Sequence, residues 1–216
     1  MSTQPFDPNV LPSESPCPFC TIAQTYPSYP PSSPPPPPPT STTTSLPTSP
    51  STPSPLDPFK LTPAAFIILS TPTLIAFLDI LPLSRGHLLL CPRAHAPKLT
   101  DVTARDAADL GAYLRVLSAA LVRATGVPDW NVVQNNGAAA AQVVGHVHYH
   151  LIPRPEIRAS GRFSESFTMF GRGVREELDD DEAAELAERL RRCVADVVVE
   201  EEEGKKGEAV TGKGKL

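Results

Sequence analysis

The sequence predicts an α+β fold: an antiparallel sheet of about five strands with two main helices. Three observations carry this. Short apolar runs separated by turn residues fill positions 66–91, the strand pattern. After residue 101 the apolar period changes to that of a helix, with Leu110, Leu114, Leu117 and Leu121 in register. Within residues 143–152, positions 146–151 alternate strictly between histidine and large apolar or aromatic side chains, the period of a strand.

Taken in order, residues 1–16 form a flexible leader, and 17–25 a hook built on Cys17-Pro18-Phe19-Cys20. Residues 26–58 are rich in Pro, Ser and Thr and include six consecutive prolines, Pro34 to Pro39. Such a stretch buries too little apolar surface to offset its ordering entropy, so it is expected to be disordered or polyproline II, and to suit SH3- or WW-type modules. The folded domain is expected over 59–199. Strands are predicted at 66–69 and 74–78, split by Ser70-Thr71-Pro72-Thr73, and at 88–91, stopped by Pro92. A helix follows over 101–125, capped by Thr100 or Asp101 and ended by Gly126 and Pro128. Strands at 130–134 and 143–152 complete the sheet. A second helix is predicted at 181–198, with Leu186, Leu190, Val194 and Val197 on one face, before a charged, disordered tail over 200–216.

Composition narrows the function. Nineteen basic and 24 acidic residues leave a formal net charge of −5, which offers no support for nucleic-acid binding. No segment approaches the ~20 apolar residues of a membrane helix, and the N-terminal residues lack a basic stretch followed by an apolar run. The expectation is a soluble intracellular protein, cytoplasmic or nuclear, whose four cysteines are thiols or metal ligands rather than disulfides.

The chemistry centres on Gly145-His146-Val147-His148-Tyr149-His150-Leu151-Ile152-Pro153-Arg154. Strand alternation puts the three imidazoles on one face. Three imidazoles are costly to bury without partners, so a functional cluster outweighs three separate structural histidines. A metal cluster and a nucleophile site for phosphate both fit. All five histidines of the chain fall between His87 and His150, a clustering that points to one site.

These residues resemble the histidine-triad (HIT) superfamily, and its bacterial- and fungal-type nucleotide hydrolases in particular. His146 to Ile152 match the pattern His-φ-His-φ-His-φ-φ, where φ is apolar. Phe77-Leu78-Asp79, Gly86-His87, Pro92-Arg93-x-His95 and Asn135-x-Gly137 match upstream. The resemblance spans about 64–155 plus the CxxC. It implies hydrolysis at the α-phosphorus of a nucleoside phosphoramidate or dinucleoside polyphosphate through a nucleotidyl-histidine intermediate. His148 would be the nucleophile, with His150 and His146 flanking it. A neutral imidazole is a good nucleophile near pH 7, and neighbouring imidazoles can donate to phosphate oxygens. Asp79, Asn135 and Gln142 would bind a purine nucleotide, with Phe19, Ile22 and Phe77 forming a slot for the base or, equally, packing as core.

The resemblance also implies a structural zinc on Cys17, Cys20, His95 and His146, no organic cofactor, and a homodimer paired through the 101–125 helix and the 130–134 strand. In the approach to the triad the family pattern Gly-Gln-Ser/Thr-Val becomes Ala141-Gln142-Val143-Val144. That replaces a flexible residue and a hydroxyl, so a nucleotide-binding protein with weak catalysis is the alternative function. Arg154, Arg158, Arg172 and Arg175 are candidates for outer phosphates or plain surface charges.

Overall fold

A computed structural model describes residues 17–36, 54–155 and 178–211. Its elements are helix α1 (Pro18–Thr25), strands β1 (Ile67–Ser70), β2 (Leu74–Leu78) and β3 (Leu88–Pro92), helix α2 (Ala104–Thr125), strands β4 (Trp130–Gln134) and β5 (Tyr149–Pro153), and helix α3 (Asp180–Thr211). The five strands form one sheet in the order β1-β2-β3-β5-β4, every neighbouring pair antiparallel. The predicted class is therefore the observed one.

Strand alternation divides the apolar residues between two layers. Leu74, Ala76, Leu78, Leu88, Leu90 and Leu151 face α2 and α3, where they meet Leu117, Leu121, Leu190 and Val194. Ile75, Phe77, Leu89 and Cys91 face the other way, onto Phe19, Ala23 and Tyr26 of the hook. Leu89 pairs with His150, so the histidine strand shows its functional side to the hook face, away from the long helices. None of the described helices is long and apolar enough to cross a membrane.

Four expectations change. The 143–152 strand begins only at Tyr149. A bend over residues 144–146 breaks it, because His146 N–H bonds Val144 O (2.8 Å) and Val147 N–H bonds Ala96 O (2.7 Å) rather than a ladder partner. Helix α2 is capped by Thr103, whose hydroxyl accepts from Asp106 N–H (3.1 Å). Asp101 serves a preceding 3-10 turn, accepting from Lys98 N–H (2.9 Å).

The segment 26–58 is anchored at both ends. Tyr26 is fully buried, and its hydroxyl donates to the Asp57 and Pro58 carbonyls (2.9 and 3.1 Å), while Tyr29 donates to Ile68 O (2.9 Å). Aromatic side chains carry these residues into the core, against the polar composition around them. Residues 37–53 and the 1–16 leader lie outside the described residues. Finally, the last helix does not stop at 198 but runs to Thr211, where a disordered tail was expected. Glu200 forms a two-pronged ion pair with Arg123 (2.7 and 2.8 Å), and Glu201 pairs with Arg115. Charges read as tail thus lie along α2.

Candidate active site

The antiparallel pairing of β3 with β5 builds the site. It sets His87, just before β3, beside His150 on β5, with the bend carrying His146 and His148 next in line. Gly86 allows His87 its place. Its φ is +93°, and a β-carbon there would meet the Thr125 methyl at 3.0 Å.

The hydrogen bonds assign the imidazole tautomers. Leu83 N–H donates to His87 Nδ1 (3.1 Å), so the neutral ring carries its proton on Nε2. That Nε2–H faces His150 Nδ1 at 2.9 Å. His150 then holds its own proton on Nε2. The Asp79 carboxylate lies beside both rings, 3.5 Å from His87 Nε2 and 3.9 Å from His150 Nδ1, and is held by Leu81 N–H (2.9 Å). His148 shows the opposite tautomer. Its Nδ1–H donates to the His146 carbonyl at 2.6 Å, leaving the lone pair on Nε2. Burial pushes the His148 pKa below the usual imidazole value, against the opposing pull of that hydrogen bond, so the ring is neutral at pH 7. His148 and His150 are edge to face with centroids 4.9 Å apart. A lone pair on one ring and an N–H on the next is what attack at phosphorus with oxyanion stabilisation requires.

His146 belongs to a second cluster. It is fully buried, and its Nε2–H donates to Pro92 O at 2.8 Å, which turns the Nδ1 lone pair toward the hook. There Nδ1 lies 3.4 Å from Cys17 Sγ and 3.6 Å from Cys20 Sγ, and His95 Nδ1 lies 3.3 Å from Cys20 Sγ. A tetrahedral ion bound at ~2.3 Å to sulfur and ~2.0 Å to nitrogen needs sulfur–nitrogen edges of about 3.5 Å. The four donors fit such an ion, and the Pro92 carbonyl supplies the outer hydrogen bond that ligating histidines use. Burial and contact with Cys17 push the Cys20 thiol up to about 11, so ligation there displaces a proton. The three triad histidines do not converge on one ion: His146 turns to the cysteines, His148 to a backbone carbonyl and His150 to His87.

Phe19 joins the two clusters, its ring 5.1 Å from His148, 5.9 Å from His146 and 5.3 Å from Phe77. Phe19 and Phe77 are buried on this face, and Ile22 is half-buried beside them. The Gln142 side chain ties its loop to the segment after β3, accepting from Gly137 N–H (2.6 Å) and donating to Pro97 O (2.7 Å). Asn135 ends β4 half-buried, while Asn136 holds the loop by accepting from Leu99 N–H (2.9 Å). Arg154 is buried with its Nε on Asn131 Oδ1 (2.7 Å), which makes it a brace between β4 and β5 rather than a phosphate contact. Arg158, Arg172 and Arg175 lie outside the described residues.

Sequence reasoning did not assign His87 a role, although the clustering of all five histidines held the signal. The part played by the His146 carbonyl had no side-chain signal at all. Ala141, by contrast, sits in the left-handed region at φ 63°, ψ 27°, where the family pattern has glycine.

Fold and site together describe a sheet-borne cluster of histidines with a lone pair on one ring beside an N–H on the next. The HIT domain family profile matches residues 62–157. Adenosine 5'-monophosphoramidase HNT1 of Candida albicans is 33% identical over 138 residues, covering 62% of this chain and 85% of that protein. Adenosine 5'-monophosphoramidase hnt1 of Schizosaccharomyces pombe is 42% identical over 81 residues, covering 38% of this chain and 58% of the relative, so the chain spans little more than half of it. A hypothetical histidine triad nucleotide-binding protein of Sulfolobus tokodaii has the same fold, with a TM-score of 0.53 at 24% identity over 62% of this chain and 85% of that one. The chain belongs to the HIT family.

Left-handed backbone is unfavourable for any residue with a β-carbon. Ala141→Gly should therefore raise the unfolding free energy, by up to about 1 kcal/mol, in chemical denaturation. A loss of stability in that variant would contradict the strained turn.

Proposed function

We propose that this protein is a nucleotide hydrolase that cleaves at the α-phosphorus of a nucleoside phosphoramidate or dinucleoside polyphosphate. The carrying observation is the His148 tautomer: Nδ1–H is held by the His146 carbonyl, and the Nε2 lone pair is left to attack. The activities in the names of the fungal relatives point the same way. In this reading His148 Nε2 bonds to phosphorus as the leaving group departs with the bridging electron pair. Water then attacks the phosphorus and gives up a proton to solvent as the P–N bond electrons return to Nε2, while the departed leaving group takes up a proton from solvent. His150 donates its Nε2–H to a nonbridging oxygen. The His87 Nε2–H on its Nδ1 holds that ring in the donating tautomer, with the Asp79 carboxylate beside both rings.

One observation favours slower turnover. Val143 is 70% exposed, a hydrocarbon where a hydroxyl donor would serve the leaving group. Turnover of adenosine 5'-phosphoramidate and of diadenosine polyphosphates separates an enzyme from a binding protein. His148→Ala should lower turnover by about a thousandfold or more while nucleotide still binds by calorimetry. Near-normal turnover would remove His148 as nucleophile.

The donor set of two thiolates and two imidazoles suits zinc, which when bound would tie the hook to the sheet as a structural cross-link. Cys17, Cys20, His95 and His146 would hold it, and affinity falls toward acid pH because these ligands must shed protons to bind. Elemental analysis of freshly purified, chelator-free protein should give about one zinc per chain, and none in the Cys17→Ser/Cys20→Ser variant. A content near zero in the unsubstituted protein would return His95 and His146 to other roles.

A homodimer fits the edge strand β4, where Trp130 and Val132 are 38% and 45% exposed next to α2. Light scattering at micromolar concentration should give twice the chain mass, and a monomer mass would refute pairing.

A further inference from the structure

Arg93 has no part in the chemistry above, yet its guanidinium makes four hydrogen bonds. Its Nε–H donates to Thr71 O (2.7 Å), Nη1–H to Ala23 O, and Nη2–H to Tyr26 O (2.6 Å) and to Ser70 Oγ. Two acceptors, Thr71 and Ser70, belong to the sheet. The other two belong to the end of α1, where the last carbonyls of a helix lack intrahelical partners and carry its negative pole. The planar fork of arginine spans this gap, which an ammonium group on a flexible stem cannot do with the same geometry.

The neighbours of Arg93 give the contact its meaning. Pro92, one residue before it, offers the carbonyl that orients His146. His95, two residues after it, is a donor of the candidate metal site. Three near-consecutive positions thus orient one ligand, supply another and grip the helix that carries the remaining two. Cys17 and Cys20 sit at the N-terminal end of α1, and the Arg93 contacts sit at its C-terminal end. A helix of eight residues does not hold together in water on its own, so it keeps its shape only while docked.

We propose that Arg93 is the positioning residue of the metal site, docking the hook in its ligating pose before any metal arrives. The metal then meets four donors already in place, and the ordering of the hook is not charged against its affinity. The same clamp keeps Phe19 against the edge of His148, linking hook docking to the nucleophile. The affinity arm of this proposal rests on the zinc reading, and the docking arm does not.

Hydrogen exchange read by mass spectrometry on chelator-treated full-length protein tests the docking arm. Amides of residues 19–26 should be protected without metal, and should lose that protection in Arg93→Ala while β2 and β3 keep theirs. In competition with a chromophoric chelator, the zinc dissociation constant of Arg93→Ala should rise about 10- to 100-fold, as for outer-shell substitutions at metal sites. Arg93→Lys should recover little of either. If Arg93→Ala does not fold, Arg93→Lys and Ser70→Ala take its place, with loss expected in the hook alone. Hook amides that exchange freely in the unsubstituted protein until zinc is added would overturn the proposal, as would unchanged hook protection in the variants. So would an equal loss across the whole sheet. If the protein takes up no zinc, the zinc reading fails and the exchange data still decide whether Arg93 docks the hook.

Discussion

The register of β3 against β5 is the constraint on which the rest depends. Leu89 lies opposite His150 and Leu88 opposite Leu151, so one strand pair sorts polar from apolar along both chains. A slip of one residue would turn His150 into the helix-facing core and bring Leu151 to the hook face. The helices α2 and α3 hold the register from behind by burying Leu88, Leu90 and Leu151. What the register delivers in front is a single line of nitrogen atoms in two functional groups. His87 and His150 share one proton with Asp79 beside them, and His146 turns away to the cysteines.

Much of this can be read from the chain, and the reasons differ by residue. Strands β1, β2 and β3 sit where short apolar runs meet Ser70-Thr71-Pro72-Thr73 or stop at Pro92, because turn chemistry is local. The helix over Leu110 to Leu121 follows from spacing alone. The donor quartet Cys17, Cys20, His95 and His146 came from resemblance, and no spacing rule would have joined residues so far apart in the chain. Strict alternation from His146 to His150 suggested one straight strand. It did not reveal the bend, because the alternation concerns side chains and the bend is made by the backbone bonds of His146 and Val147. Tyr26, Tyr29 and Leu56 were hidden by the composition around them, since a window average dilutes one deeply buried aromatic residue. Glu200 and Glu201 read as tail because their partners, Arg123 and Arg115, lie on another helix.

The main chain does as much as the side chains at this site. A carbonyl of His146 holds the tautomer of His148, a carbonyl of Pro92 holds that of His146, and an amide of Leu83 holds that of His87. Three imidazoles of the same chemical type are thereby given different duties by three backbone groups. This division needs no difference in residue type: His146 turns a lone pair to the cysteines and His148 keeps one on Nε2, while His150, set by the His87 ring, carries its proton on Nε2.

The Tyr26 hydroxyl on the Asp57 and Pro58 carbonyls works as a clasp that brings two distant points of the chain together. The entropy of closing a flexible chain between two fixed points grows only with the logarithm of its length, about 0.6 kcal/mol for each doubling. The clasp lies outside both histidine clusters, and Tyr29 and Leu56 fix the chain further on its inner sides, so the described ends of this stretch are set independently of what joins them. A change of length between those ends would carry only that slow logarithmic cost and leave the sheet, the hook and the histidines in place.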